Sequence, residues 1–184
     1  LRLRPGVAVA VAATLIWLMF SFLPRSRAED CPPQNALLAE LSRQAGDRWR
    51  MLAITPRENW TLRGLPAAVA PPNTLALYGI LDVQGYDSLY PAIYKRAAAR
   101  WEGCDPSPAA NGNMVLLQNW AARELDELAV RYVLSAEAIA GDVLRLVRTV
   151  EGAGRRLFIY ERLAAQPRWR CRGGRVIGAR AGYN

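Results

Sequence analysis

The sequence predicts an α/β or α+β domain that follows one N-terminal transmembrane helix. Three observations support this: an uncharged apolar stretch near the N-terminus, an alternation of helical and strand-like apolar patterns after it, and a glycine-containing turn between two late strands. Together they predict a single domain with a mixed sheet of about four strands flanked by helices. We divide the chain into an N-terminal arm and anchor (1–24), a tether (25–33), the α/β domain (34–168) and a basic tail (169–184).

The predicted anchor runs from Gly6 to Leu23 and contains no charged residue. A helix of this length spans about 27 Å, close to the thickness of a bilayer's hydrocarbon core. Trp17 and Phe22 fall in its outer half, where the membrane interface favours aromatic side chains. A cleaved secretory signal is the alternative, because Ser26-Arg27-Ala28 resembles a small-x-small cleavage site. Signal sequences usually have a shorter apolar core, which favours a retained anchor.

The formal net charge of +8 suits an anionic lipid surface, an acidic protein partner or nucleic acid. A membrane anchor makes nucleic acid the least suitable of these, so we predict none. Arg2 and Arg4 precede the span while Arg25 and Arg27 follow it, which leaves the positive-inside rule nearly balanced. The short N-terminal arm favours a cytoplasmic N-terminus. The domain is then expected on the periplasmic side of a bacterial inner membrane.

Reactive side chains are scarce in this chain. It contains no histidine, which removes Ser-His-Asp and Cys-His nucleophilic sites and histidine metal ligands. Cys31, Cys104 and Cys171 form no CxxC pair. One disulfide, with Cys31–Cys104 preferred, and three buried free thiols both remain open. We predict no catalytic residue, no metal ligand and no cofactor.

The first part of the domain shows a helix and a strand with clear ends. Asn35 is placed to cap a helix with one apolar stripe, and Gly46 is placed to end it. The next apolar run, Trp49–Ile54, predicts a strand that Pro56 closes. Further along, the alanine-rich stretch 92–101 predicts a second helix.

The second part of the domain predicts one more helix and three strands. Val130–Leu134 indicates a buried strand, and 143–150 and 156–160 indicate two strands joined by a hairpin at 151–154. Before them, a helix capped by Asn113 is predicted from apolar residues at helical spacing, namely Met114, Leu117, Ala121, Leu125 and Leu128.

The most unusual stretch is PPNTLALYGILDVQGYDSLYP at 71–91. It is too apolar for a solvated loop and too interrupted by proline and glycine for one helix. Gly79 and Gly85 indicate turns or close approaches that a Cβ would block. We therefore predict a buried irregular connection in which Asp82 or Asp87 accepts hydrogen bonds from the backbone.

Two groups of side chains are candidates for binding. Tyrosines and aspartates of the irregular stretch could contact a sugar or a partner, although an aromatic core is the alternative. These are Tyr78, Asp82, Tyr86, Asp87, Tyr90 and Tyr94. The tail, for which no secondary structure is predicted, carries arginines without any acid and could contact anionic headgroups or an acidic partner subunit. These are Arg168, Arg170, Arg172, Arg175 and Arg180.

Three blocks of the sequence resemble the extracytoplasmic region of the bacterial YfhO family. They are the stretch at 71–91 quoted above, LDELAVRYVLS at 125–135 and LFIYERLAAQPR at 157–168. The family consists of polytopic membrane proteins allied to GT-C glycosyltransferases, which use polyprenyl-phosphate sugars. The resemblance implies an extracytoplasmic α/β fold. Arg162 stands where the family usually has Asn, and no position here matches the catalytic carboxylate of GT-C enzymes.

These observations favour a single-pass, membrane-anchored accessory or scaffold subunit of a larger membrane protein complex. Such a subunit would act without catalysis, through contacts with other membrane protein subunits and with lipids, including anionic lipids. The alternative is the outer domain of a GT-C-like transferase that positions a polyprenyl-linked sugar or its acceptor. A free-standing periplasmic glycan-binding module is a third hypothesis, and it depends on the tyrosines of the irregular stretch.

Overall fold

Two units make up the chain, residues 1–34 and residues 35–184. The structure is a computed structural model, and it describes residues 5–22, 35–55, 57, 69–87, 89–152, 155–172 and 175–178.

The first unit contains helix α1 (Pro5–Phe22), which coincides with the apolar stretch of the sequence. Its described large apolar side chains, from Val7 to Trp17, are between 47% and 69% exposed. Among the residues that the structure describes, no helix combines the length and apolar content needed to cross a bilayer. The predicted transmembrane span is therefore not confirmed. Of the predicted anchor residues, Gly6, Trp17 and Phe22 lie in α1, and Leu23 lies outside the described residues.

The second unit is built on a five-stranded sheet with the strand order β2-β1-β5-β7-β6. Strand β1 (Arg50–Ala53) runs parallel to both β2 (Leu81–Asp82) and β5 (Val130–Ser135). Strand β7 (Arg155–Arg162) runs antiparallel to β5 and to β6 (Leu144–Gly152). This confirms the predicted mixed α/β sheet and its 151–154 hairpin connection. The additional strand is β2, which the irregular stretch contributes.

Both faces of the sheet are covered, because successive side chains of a strand point to opposite faces. On one face, Met51 and Ile159 pack with helix α2 (Ala36–Ala45) and a 3-10 helix at Leu75–Tyr78. The opposite face packs with helix α3 (Ala92–Glu102), with the chain at 115–117 and with the chain at 122–128. Burying each large apolar side chain contributes about 1.5–3 kcal/mol. Side chains of the central strands on this second face include Leu52, Val133 and Tyr160.

Helix α2 begins and ends where the sequence predicts. The Asn35 side chain accepts a hydrogen bond from the Leu38 backbone N–H at 3.0 Å, which satisfies one of the helix's free donors. Gly46 ends the helix at φ +52°, a backbone conformation that other residues rarely adopt. The two predicted ends are therefore confirmed.

The helix predicted to start at Met114 is wrong. Strand β4 (Met114–Val115) pairs antiparallel with β3 (Gly85–Tyr86), and residues 116–117 belong to no helix or strand. All four side chains at 114–117 are buried, so the segment is apolar on both sides. A continuous apolar run of this kind does not distinguish a strand from a helix in the sequence. Only the short helix α4 (Glu124–Glu127) forms in this region. Asn113 caps no helix, and its carbonyl accepts from the Asp87 N–H instead.

Buried Gln84 connects the sheet to this segment. Its Nε2 donates to the Ala53 carbonyl at the end of β1, and its Oε1 accepts from the Leu117 N–H at 2.8 Å. The Gln84 side chain thus provides hydrogen-bond partners for the buried Ala53 carbonyl and Leu117 N–H, which lie outside regular strand pairing.

We expect Gln84→Leu to lower the free energy of unfolding by about 2–4 kcal/mol, because each buried polar group left without a partner costs about 1–3 kcal/mol. Urea unfolding of the full chain measures this. Gln44→Leu is the matched control, since Gln44 is exposed and bonds only within α2 to Glu40. Equal losses for the two variants would contradict the prediction.

Two strands carry a bulge. Pairing passes from Val130 to Tyr132 in β5 and from Leu146 to Arg148 in β6, so Arg131 and Val147 are extra residues. An extra residue shifts the side chains around it and increases the local twist. The bulge in β5 is important for the arginine cluster described below.

The C-terminal tail contains a two-stranded hairpin. Strand β8 (Trp169–Arg172) pairs antiparallel with β9 (Arg175–Gly178), with Arg172 opposite Arg175. The sequence predicts no secondary structure here, because the arginine-rich pattern has no clear apolar alternation.

Candidate contact surfaces

The six predicted contact residues of the irregular stretch divide into a buried group and an exposed group. Tyr90 and Tyr94 are half-buried and stack with ring centroids 5.6 Å apart. Tyr94 also meets Trp101 edge-on at 6.1 Å, and its hydroxyl donates to the Val83 carbonyl. These two tyrosines form part of the aromatic core, which was the alternative to a binding role. Tyr78 is half-buried and packs against the core under α2.

Asp82 is the most unusual polar group of the irregular stretch. Its Oδ1 accepts from the Gln84 N–H at 2.9 Å, as predicted, but its Oδ2 is buried and has no hydrogen-bond partner among the described residues. Burial raises the pKa of Asp82 to about 7, against the opposing effect of hydrogen bonds from the Gln84 and Val83 backbone. Burial together with the charges of Asp82 and Asp87 also raises the pKa of Tyr90 to about 12.

The turn at 85–89 is held by side chains. Asn73, at φ +69°, donates from Nδ2 to the Tyr86 carbonyl at 2.7 Å and accepts from the Tyr86 N–H at 3.2 Å. A Cβ at Gly85 would overlap the Tyr90 hydroxyl, which explains the glycine. Asp87 Oδ1 accepts from the Leu89 N–H at 2.8 Å, so both predicted aspartates bond to the backbone.

Exposed apolar side chains lie on this turn and in the first turn of α3. Leu89 is 84% exposed, and Tyr86 and Ile93 are each about half exposed. We call these three residues the apolar patch. Asp87 is exposed in the same turn. Of the six predicted contact residues, Tyr86 and Asp87 are therefore the ones that the structure places at the surface of this turn.

A second surface is formed by arginines around Trp49. The guanidinium groups of Arg131 and Arg48 lie 5.2 Å and 5.8 Å from the Trp49 ring centroid. Arg131 and Arg145 both bind the Glu161 carboxylate. Burial would raise the pKa of Glu161, but the hydrogen bonds and charges of Arg145 and Arg131 hold it below its usual value.

Arg168 joins the predicted basic tail to this surface. Its backbone N–H donates to the Arg48 carbonyl at 3.0 Å, and its guanidinium donates to the Asp47 carbonyl at 2.8 Å. The guanidinium also lies 5.3 Å from the Trp169 ring centroid. We call Arg48, Arg131, Arg145 and Arg168 the arginine cluster.

The sequence indicates only part of the arginine cluster. Arg168 was among the predicted contacts, whereas Arg48, Arg131 and Arg145 were not. They come together because β1, β5 and β6 belong to one sheet and because the bulge at Arg131 alters the β5 register. Arg170, Arg172 and Arg175 lie in the β8–β9 hairpin, and Arg180 lies outside the described residues.

One groove and the possible metal ligands complete the described surface features. A groove of about 100 Å³ between α2 and β6, crossed by an Arg148–Glu40 ion pair at 3.2 Å, is smaller than typical ligand pockets. In the described ranges, no group of three or more Cys, Asp or Glu side chains is arranged to hold a metal ion. Cys104 is an exposed free thiol, so the alternative of three buried thiols is wrong and the preferred Cys31–Cys104 disulfide is not confirmed; Cys31 lies outside those ranges.

Comparisons with known proteins return no match for this chain among protein-family models, curated proteins or solved structures. The resemblance to the YfhO family therefore stays a prediction.

Proposed function

We propose that this protein is a membrane-anchored, non-catalytic accessory subunit whose α/β domain acts as a scaffold in a larger membrane protein complex. The observation that carries the proposal is the uncharged apolar stretch Gly6–Leu23 of the sequence, most of which forms α1 with its described large apolar side chains exposed. Leaving so much apolar surface in water is unfavourable, at roughly 25 cal/mol per Å². Its Thr14 hydroxyl donates to the Ala10 carbonyl at 2.9 Å, which suits an environment without water.

An anchor at α1 keeps the domain near the bilayer. Residues 23–34 separate α1 from the start of the second unit, and twelve residues reach at most about 40 Å even when fully extended. We propose that the N-terminus is cytoplasmic and the domain periplasmic, in the inner membrane of a bacterium. In this position the domain meets other membrane subunits and lipid.

The apolar patch is the proposed contact with a partner subunit. Interface centres are enriched in aromatic and large apolar residues, and Tyr86, Leu89 and Ile93 provide such a set, in which Asn73 holds Tyr86 and Asp87 holds Leu89. A fixed turn loses little conformational freedom on binding, which favours affinity.

The anchor is tested by introducing charge into α1. Val11 and Leu15 are exposed and one helical turn apart, and each Asp at the centre of a span costs about 2.5–3.5 kcal/mol of insertion free energy. We expect wild-type chain to stay in membranes washed with alkaline carbonate and Val11→Asp/Leu15→Asp to be extracted. The control Val11→Leu/Leu15→Val should stay. Extraction of the wild-type chain would refute the anchor.

The scaffold is tested with the variant Leu89→Asp/Ile93→Asp, expressed at full length in the native host and solubilised in mild detergent. We expect wild type to migrate at the mass of a complex with other subunits and the variant to migrate as a monomer, because a desolvated hot spot typically contributes 2 kcal/mol or more. Leu163→Asp, at an exposed apolar position outside the patch, is the control. A monomeric wild-type chain, or equal dissociation of the control, would refute the scaffold.

The second candidate is the outer domain of a GT-C-like transferase. The observation that favours it is that the three blocks resembling the YfhO family contribute β2, β5 and β7, which lie in one sheet on either side of β1. A photoactivatable polyprenyl-phosphate sugar should then label the turn at 85–89, and competition by the unmodified lipid should abolish the label. Absence of labelling at this turn excludes this candidate.

A further inference from the structure

The Asp82 carboxyl group is enclosed at the end of β2. Its Oδ1 accepts from the Gln84 N–H at 2.9 Å, whereas its Oδ2 is buried and has no hydrogen-bond partner among the described residues. A neutral carboxyl group can stay in such a place, but a charged one has to be paired or hydrated. Burial raises the pKa of Asp82 to about 7, although hydrogen bonds from the Gln84 and Val83 backbone oppose this. Asp82 is therefore neutral at mildly acidic pH and becomes charged as the pH rises.

As far as the structure describes the neighbouring elements, their charged side chains bind other groups. In β1, Met51 pairs with Asp82, and the Arg50 guanidinium donates to the carbonyl that follows α4 at 2.8 Å. The 3-10 helix beside β2 carries one titratable group, Tyr78. In α3, the Lys95 ammonium lies 3.7 Å from an aspartate outside the turn. The pKa of Asp82 accordingly reflects burial and backbone hydrogen bonds, and no described cation compensates its charge.

Tyr90 connects Asp82 to the apolar patch. Burial, and next the charges of Asp82 and Asp87, raise the pKa of Tyr90 to about 12, so both carboxyl groups act on its hydroxyl. A Cβ on Gly85 would overlap this hydroxyl, which means that Tyr90 packs directly on the backbone of the turn at 85–89. Leu89 of the patch is the residue before Tyr90. A change around Asp82 can thus reach the turn and the patch through this tyrosine.

We propose that the turn at 85–89 is a pH-sensitive switch, in which a negative charge on Asp82 opens the turn and the apolar patch then releases its partner subunit. Water that hydrates the charged carboxylate displaces Tyr90 from Gly85, and Leu89 moves with it. The patch residues then no longer form one surface. This inference rests on the proposed function, because the partner released is the subunit proposed to bind the patch.

The direction of the switch follows from two pKa values. The closed turn holds the Asp82 proton more tightly than an open turn, in which the hydrated carboxyl group regains its ordinary pKa of 3.8. The closed form is therefore most stable below the ordinary pKa and loses stability as the pH rises, and the loss levels off above the folded-state pKa. Between about pH 5 and pH 8.5 the open population should increase roughly a hundredfold.

Amide hydrogen exchange of the full chain in detergent tests the opening without any partner. The reporters are the Tyr86 N–H, which donates to the Asn73 side chain, and the Asp87 N–H, which donates to the Asn113 carbonyl. After correction for intrinsic rates, we expect exchange of both to accelerate roughly a hundredfold between about pH 5 and pH 8.5. This exchange should not depend on low concentrations of urea, because a local opening exposes little surface.

Asp82→Asn should abolish the acceleration, since Asn has the shape of a protonated Asp and stays neutral. Asp105→Asn is the matched control and should keep it, because exposed Asp105 likewise accepts a backbone N–H two residues on, from Ser107. The switch is overturned if the acceleration is absent in wild type or persists in Asp82→Asn. It is also overturned if Tyr86 exchanges only together with Val133 of central strand β5, with the same dependence on urea, because the turn would then open only in global unfolding.

Release of the partner is measured on the complex isolated from the native host in mild detergent. We expect the wild-type complex to be intact at the lower pH of the exchange experiment and to dissociate at the higher pH, and the Asp82→Asn complex to stay intact at both. A wild-type complex that stays intact at the higher pH overturns the release. A wild-type chain that is monomeric at both pH values refutes the scaffold, and the exchange experiment alone then decides whether the turn opens.

Discussion

Replacing Arg162 with Asn should lower the free energy of unfolding by about 3–5 kcal/mol, because the change breaks a buried ion pair by removing one partner. Arg162 is 2% exposed and binds Asp126 with N–O distances of 2.8 and 2.9 Å. It also donates to the carbonyls of Trp120 and Ala122. Asn is too short to reach these groups from β7, so a carboxylate and two carbonyls lose their donor.

Urea unfolding of the full chain in detergent measures this loss. Arg156→Asn is the matched control on the same strand, since the Arg156 side chain is 59% exposed and pairs with exposed Glu151. Such a surface pair contributes less than about 1 kcal/mol. Combining Arg162→Asn with Asp126→Asn should cost less than the sum of the two single variants, because they remove the same interaction. Strict additivity would contradict this account.

The free energy of unfolding of the wild-type protein should fall as the pH rises, and replacing Asp82 with Asn should abolish this fall. The folded-state pKa of about 7 lies above the ordinary value of 3.8, so the folded protein holds the proton more tightly than the unfolded chain. The stabilisation that the protonated Asp82 provides is therefore fully present below its unfolded-state pKa and is lost as the pH rises through its folded-state pKa. Between about pH 5 and pH 8.5 this loss amounts to about 2–3 kcal/mol.

The measurement is the difference in unfolding free energy between wild type and Asp82→Asn across this pH range. We expect wild type to lose stability relative to the variant as the pH rises from 5, and the loss to level off above the folded-state pKa. Asp87→Asn is the control, because Asp87 is exposed and also accepts a backbone hydrogen bond. A difference for Asp82→Asn that does not vary with pH would refute a buried, protonated Asp82.

The parts of the fold that the sequence predicts well depend on neighbouring residues. Asn35 and Gly46 define α2 because capping needs only a side chain and a backbone within one turn. The β6–β7 hairpin is similarly local, with the turn residues adjacent to both strands. The hydrogen bonds of Asp82 and Asp87 reach only two residues along the chain, and they too were predicted correctly.

The features that the sequence does not reveal depend on distant pairing. Met114–Leu117 looks helical until the chain around it is known to bury both of its sides. The arginine cluster requires β1, β5 and β6 to come together, and the bulge at Arg131 is visible only in the register. The role of Arg162 likewise depends on the position of Asp126, which is 36 residues away. Spacing along the chain carries no signal for such contacts.

The two edge strands of the central sheet affect how readily copies of the protein aggregate. One edge strand is β2, which is only two residues long, and the other is β6, which has a bulge at Val147. Short or kinked edge strands are poor templates for a strand from another chain. Copies of the domain at high local concentration can therefore remain separate, without growing into the cross-β fibres that long, flat edge strands would nucleate.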